Sequence, residues 1–211
     1  IYLYYSSPTF TGCILEGNSA SRSGGAVTAI HSVARLENLV IRENTAAVDG
    51  GAIAAEESEL AVINATIIDN SASRDGGGIM AELSGMTVVN SIIAANDASG
   101  SGDQIEVSGN PAPEVSYSLV EGGWSGTGNV SGAAGLVDGD YHLTATSPAW
   151  NAGTAAASPV FDIDGEARPS GAGYDMGADE LVDSDGDGIA DGWETGFFGD
   201  LITVEASSDY D

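Results

Sequence analysis

The sequence contains no lysine. Its 211 residues carry 32 aspartates and glutamates against five arginines, a formal net charge of −27 at pH 7. A surface of that sign repels nucleic acid and anionic membranes, so neither is an expected partner. It suits a setting rich in divalent cations or salt. Cysteine is nearly absent. Cys13 stands alone, which excludes an intrachain disulfide. The two histidines, His31 and His142, lie far apart and have no nucleophile partner that the sequence identifies. No apolar run is long enough to span a bilayer, so this segment is not expected to insert into a membrane. No window carries a long 3.6-residue apolar stripe, which argues against a helical domain.

What is present is a repeat. Gly24-Gly25-Ala26-Val27 recurs as Gly50-Gly51-Ala52-Ile53 and as Gly76-Gly77-Gly78-Ile79. A worn copy falls in register at Gly102-Asp103-Gln104-Ile105. A fixed 26-residue period is the signature of a solenoid. Within each copy the apolar runs are short, β-branched and bounded by Gly, Asn, Ser and Asp, which predicts strands and turns. Equal phase puts like residues above like, so successive strands pair in parallel, about 4.8 Å apart. The fold class is all-β, a parallel β-helix. The columns Ile1, Val27, Ile53, Ile79, Ile105 and Phe10, Leu36, Val62, Val88 are its predicted interior ladders. Cys13 aligns with Leu39 and Ala65 and is expected as a buried core thiol. Tyr117 and Leu119 align with Leu39 and Ile41, so the coil beyond Pro113 is expected to keep the phase.

Two asparagine columns run with the repeat: Asn18, Asn44, Asn70, Asn96 and Asn38, Asn64, Asn90. At a sharp corner the backbone leaves donors and acceptors unpaired. An asparagine side chain can bond them, can bond the next coil's asparagine, and tolerates a left-handed backbone. Both columns are read as structural. The glycine pairs are expected to supply bends with positive φ. Glu56 stacks with Glu82 and Asp49 with Asp75, a solvated acidic face, with weak calcium binding along it as the alternative.

The motif Gly-Gly-(Ala/Gly)-Ile followed by Ile-x-x-Asn-x-Ala resembles the repeats of bacterial right-handed β-helix surface proteins, including the polymorphic outer membrane protein repeats. It covers residues 1 to about 124. The resemblance implies a right-handed, single-stranded β-helix. It leaves function open, because the fold serves adhesins, lyases and passive stalks alike. The chain opens in mid-repeat at Ile1-Tyr2, which points to a piece of a longer secreted protein.

Ser147-Pro148-Ala149-Trp150-Asn151-Ala152-Gly153, then Asp162-Ile163-Asp164-Gly165-Glu166-Ala167-Arg168-Pro169, then Asp175-Met176-Gly177-Ala178-Asp179-Glu180 resemble the C-terminal end of bacterial β-helix proteins of the choice-of-anchor type. The resemblance implies a cap over the last coil, whose strand edges and apolar section need cover. Arg168, the only basic residue after Arg74 apart from a histidine, is expected as an ion-pair hub for Asp162, Asp164, Asp175 and Asp179. Trp124, in a glycine-rich loop, is expected as a local plug, with sugar stacking as the alternative.

The sharpest chemical signal runs from Asp183 to Glu194. Asp183, Asp185, Asp187 and Asp191 stand at positions 1, 3, 5 and 9 of a twelve-residue loop, with Gly188 at position 6 of the glycine-rich turn and Glu194 at 12. Hard oxygen ligands at this spacing wrap a calcium ion, with Ile189 offering its carbonyl and Glu194 able to bind bidentately. Asp191 would bind directly or through water. The loop resembles the thrombospondin type 3 calcium repeats of bacterial surface proteins, and Asp209-Tyr210-Asp211 resembles the start of a second one.

Three segments are therefore expected: β-helix coils over 1–124, last coils and a C-terminal cap over 125–181, and a small calcium-binding loop module over 182–211. The leading functional reading is a non-catalytic extracellular or cell-surface protein, structural or adhesin-like, with calcium as its cofactor. Glycans or cell-surface components are its expected partners. One alternative is a polysaccharide lyase or hydrolase with its active site upstream. β-Elimination needs a base and a cation against the uronate, and Arg22, Arg35, Arg42 and Arg74 are sparse for that. The other alternative is a filament subunit that self-associates end to end through open β-helix edges.

Overall fold

A computed structural model describes residues 1–137, 139–182 and 191. The repeat winds into a parallel solenoid with three sheets. The first holds Tyr2–Tyr4, Val27–Ile30, Ile53–Glu56, Ile79–Glu82 and Ile105–Ser108. The second is built on Thr9–Glu16, Val33–Arg42 and Glu59–Ile68, then continues as Gly85–Val89 with Ile92–Ala94 and as Glu114–Ser116 with Leu119–Val120. The third is the narrow column Ser19–Ala20, Thr45–Ala46, Ser71–Ala72 and Asp97–Ala98. Register follows the repeat: Val27 faces Ile53, Ile53 faces Ile79, and Ile79 faces Ile105. Phe10, Leu36, Val62 and Val88 form the second ladder. Both ladders belong to one interior cluster.

Each coil turns its corners on left-handed residues. One corner uses Tyr5, His31, Glu57 and Leu83, another Asn38, Asn64 and Asn90, and a third Glu43, Asp69 and Ala95. The left-handed position of that third corner precedes the column of Asn44, Asn70 and Asn96, so those asparagines are not its left-handed residues. They do something else. Asn18, Asn44 and Asn70 each donate the backbone N–H to the side-chain oxygen of the asparagine one coil on, at 2.9–3.0 Å. The corner has broken the sheet's own ladder there, and the side chain replaces the missing carbonyl. Serines do the same at the first corner, where the N–H groups of Ser6, Ser32 and Ser58 bond Ser32, Ser58 and Ser84 Oγ. That column was visible at the 26-residue spacing and carries the same signal as the asparagines.

The two glycines of each pair have different tasks. Gly24, Gly50, Gly76 and Gly102 have φ of 64–73°. Gly51 instead lies so close to the next coil that a Cβ would stand 2.1 Å from the Gly77 carbonyl oxygen. Only hydrogen fits there, whatever the φ.

The phase slips once. Ser108 comes from the strand that pairs Glu82 with a spacing of 26, but Val88 faces Val115 and Ile92 faces Leu119, a spacing of 27. The turn at Asn110-Pro111-Ala112-Pro113 holds one extra residue. The expected alignment of Tyr117 and Leu119 with Leu39 and Ile41 is therefore displaced by one. Tyr117 takes the left-handed corner, Val120 enters the interior, and Leu119 faces outward. Cys13 also departs from expectation. It is half-buried rather than enclosed, because its strand pairs only with Val33–Arg42.

Residues 130–137 and 139–181 form an irregular layer along the outside of the second sheet. Ile68, Ile92, Ala94 and Leu119 point outward into it and meet Leu143, Ala149, Met176 and Leu181 in a second apolar cluster. The column Asn38, Asn64, Asn90 clips this layer on. Asn64 Nδ2 donates to the Gly177 carbonyl at 3.2 Å, and Asn90 exchanges two bonds with Thr154 at 2.7 and 2.8 Å. These asparagines serve less as a coil-to-coil ladder than as docking points. Trp124 packs against the interior cluster, in keeping with a plug.

Candidate functional site

Several titratable side chains of the coils pair with one another. Arg35 pairs with Glu37 at 2.5 Å and Arg42 with Glu16 at 3.1 Å. Arg74 grips the buried Asp49 with two nitrogens. Asp49 and Asp75 also accept backbone N–H groups, from Asp75 at 3.3 Å and from Ser101 at 2.9 Å. They are corner ligands of the same kind as the asparagines, so the Asp49–Asp75 column is not an open cation face. Glu56 and Glu82 lie side by side and exposed. With Tyr2, Arg22 and Asp49 they line a groove of about 500 Å³ beside the first sheet.

The densest constellation lies in the outer layer. Arg168 is fully enclosed there. Its partner is Glu180, at 2.8 Å, and not any of the four aspartates expected for it. Arg168 also donates to the carbonyls of Asp175 and Gly177, at 3.4 and 3.0 Å. Glu180 accepts from the backbone of Ser170 and Asp175, at 2.8 and 3.1 Å. A buried ion pair holds only when its remaining lone pairs are met in this way. Asp175 has the role of a clasp: its carboxylate accepts from Asn151 and Leu181 N–H. Burial nonetheless pushes Asp175 up to about 7.

Beside this pair, Asp162, Glu166 and Asp179 bring one carboxylate oxygen each to within 4.8 Å of one another. The Asp162-Ile163-Asp164-Gly165-Glu166 turn explains the first two. Asp162 Oδ1 accepts the N–H groups of Asp164 and Glu166, at 2.9 and 2.7 Å, and folds the turn around itself. Asp162 Oδ2 takes the Glu180 N–H at 3.1 Å. Asp179 Oδ2 takes the Leu143 N–H at 2.6 Å, while its Oδ1, fully buried, has no hydrogen-bond partner among the described residues. Burial and mutual repulsion push Glu166 up to about 7. Burial does the same to Asp179, against the pull of His142.

His142 caps the cluster. Its Nε2 lies 3.2 Å from Asp164 and its Nδ1 3.0 Å from Asp140. Burial alone would lower its pKa, but Asp164, Asp179 and Asp140 carry it up to about 9. The ring is an imidazolium at neutral pH, faced by carboxylates on both nitrogens. The sequence identifies no nucleophile partner for His142, and the structure gives it carboxylates. Its partners stand up to 37 residues away and are joined only by the layer's fold.

Of the expected calcium ligands, Asp183, Asp185, Asp187, Ile189 and Glu194 lie outside the described residues. Asp191 is described: it is buried and donates its N–H to the Val182 carbonyl at 2.6 Å. Its charge reaches Glu166.

Three sheets in parallel register, polar corner ladders and a clipped-on outer layer define a parallel β-solenoid. The chain belongs to the right-handed β-helix family, whose description, right handed beta helix region, matches residues 1–144. No curated protein and no solved structure matches it.

Proposed function

We propose that this β-helix is a non-catalytic structural or adhesin-like protein of an extracellular surface, with a calcium-bound loop at Asp183–Glu194 and a cap formed by residues 125–181. The carrying observation is where the polar groups of the coils go. Asparagine, serine and aspartate side chains are committed to backbone bonds between successive coils, which stiffens a rod and leaves few groups for chemistry. Calcium at the loop would order the chain beyond the layer and couple it to an anchor or partner. The acidic surface fits a medium in which divalent cations are abundant. Glycans or other surface components are the natural partners of such a rod. The test is turnover: the chain, incubated with a panel of polyuronates and neutral polysaccharides in millimolar calcium, should release no unsaturated or reducing ends. Release above the blank would overturn the reading.

The groove lined by Tyr2, Arg22, Asp49, Glu56 and Glu82 favours a second reading, a polysaccharide-acting enzyme. An aromatic face beside a cation and carboxylates can hold a sugar. Under that reading Glu56→Gln and Arg22→Ala would abolish glycan binding in an affinity gel. Under the leading reading any glycan binding survives both.

A further inference from the structure

We propose that Asp162, Glu166 and Asp179 form a divalent-cation site of their own, separate from the Asp183–Glu194 loop, that binds calcium and locks the outer layer.

The geometry comes first. Three carboxylate oxygens lie within 4.8 Å of one another. Ligand atoms around one calcium stand about 2.3–2.6 Å from it, so opposite ligands are roughly 5 Å apart and adjacent ones closer. The set fits one ion. It is all oxygen, which selects a hard cation over zinc or copper. The second observation is Asp179 itself. Its side chain is enclosed, 1 % exposed, and its Oδ1 has no hydrogen-bond partner among the described residues. A buried carboxylate oxygen without a partner is expensive to leave so, and a cation shared with Asp162 and Glu166 would supply one. The half-buried Glu166 carboxylate is surrounded by acidic neighbours, Asp162, Asp179, Asp164 and Asp191.

The positive charges already nearby do not fill this role. His142 pulls on Asp179 but spends its two nitrogens on Asp164 and Asp140, and Arg168 is taken by Glu180 and two carbonyls. One divalent ion would neutralise the excess and add a side-chain tie between the Asp162–Glu166 turn and Asp179, whose neighbours Ala178 and Glu180 already bond the turn through Ile163 N–H and Asp162 Oδ2.

This inference does not rest on the loop. The experiment is calorimetric titration of the full chain, stripped with chelator, with calcium chloride near neutral pH. Wild type, Glu166→Gln and Glu194→Gln are compared. Glu166 is half-buried and glutamine has its shape, so the fold should hold; Asp179→Asn is the second variant. Glu166→Gln and Asp179→Asn should each weaken one equivalent of calcium at least tenfold, and Glu194→Gln should retain that equivalent. If the Glu166→Gln and Asp179→Asn chains bind as many ions as tightly as wild type, the inference is wrong. If the only bound calcium is lost in Glu194→Gln, it is wrong as well. If calcium is lost in Glu166→Gln alone, the layer site stands and the loop reading falls.

Discussion

Asn44 donates twice to one atom of Asn70. Its backbone N–H reaches Asn70 Oδ1 at 3.0 Å and its side-chain amide reaches the same oxygen at 2.9 Å. Asn70 repeats the arrangement with Asn96, at 3.0 and 2.9 Å. Its amide also bonds the carbonyls of Ile41 and Ile68, both at 2.9 Å. One buried side chain thus meets a donor and two acceptors that the corner would otherwise orphan.

Replacing Asn70 by alanine strands those groups inside the protein. Each unmet buried group costs about 1–3 kcal/mol, so Asn70→Ala should lose about 3 kcal/mol or more. Asn18→Ala, at an exposed position on the first coil, should lose under about 1 kcal/mol. Urea unfolding followed by circular dichroism reads the difference.

Gly12 and Gly51 separate conformational from steric demand. Gly12 has φ of 61° and open space around it. Gly12→Ala should cost about 1 kcal/mol. At Gly51 the added carbon meets backbone of the next coil at 2.1 Å. Gly51→Ala should exceed about 3 kcal/mol, because a coil must move to admit it. The same unfolding assay checks both.

Removal of Arg168 leaves Glu180 charged and enclosed. Breaking a buried pair from one side costs about 3–5 kcal/mol. Arg168→Ala should therefore release the outer layer, exposing the apolar faces of Ile92 and Leu119. Chymotrypsin should cut within residues 130–181 at least tenfold faster, while the coils stay intact. The double variant Arg168→Met with Glu180→Leu should recover much of the resistance.

The layer should weaken as pH rises. Asp175, ordinarily near 3.8, is raised to about 7, so the folded state holds a proton that the unfolded state has lost. That contribution is full below about pH 4 and disappears as pH climbs through 7. His142, ordinarily near 6.5, is raised to about 9. Its contribution is full below about 6.5 and disappears through 9. Both slopes have the same sign. In chelator, chymotrypsin resistance of the layer should fall steadily from about pH 5 to 9, and the coils should show no matching change.

The solenoid was legible because its period copies each physical constraint several times. Stacked Ile53 and Ile79, the glycine pairs and the Asn70 column all recur at one spacing, so interior and corners could be read without coordinates. What escaped was aperiodic. The residue added before Val115 shifts the last coil by one, and no pattern marks which turn position absorbs it. The outer layer was recognised as a segment, but not as a flank of the second sheet. The outward column Val40, Thr66, Ile92 and Leu119 was the available sign, since three of its four residues are apolar where an exposed sheet face should be polar. Arg168 pairs with Glu180, while the buried Asp162, Asp175 and Asp179 carboxylates accept backbone N–H groups instead. The Asp162, Glu166, Asp179 cluster spans 18 residues and depends on chain folding that no local spacing encodes.

The most direct measurement is hydrogen exchange along the full chain, in calcium and in chelator. Amides in residues 24–101 should exchange slowly and equally in both, since the coils hold themselves by their own ladders. Amides from 158 to 194 should exchange slowly in calcium and at least tenfold faster in chelator. Fast exchange in the coils under both conditions, or no calcium effect anywhere beyond residue 158, would contradict a self-supporting rod with a cation-locked end.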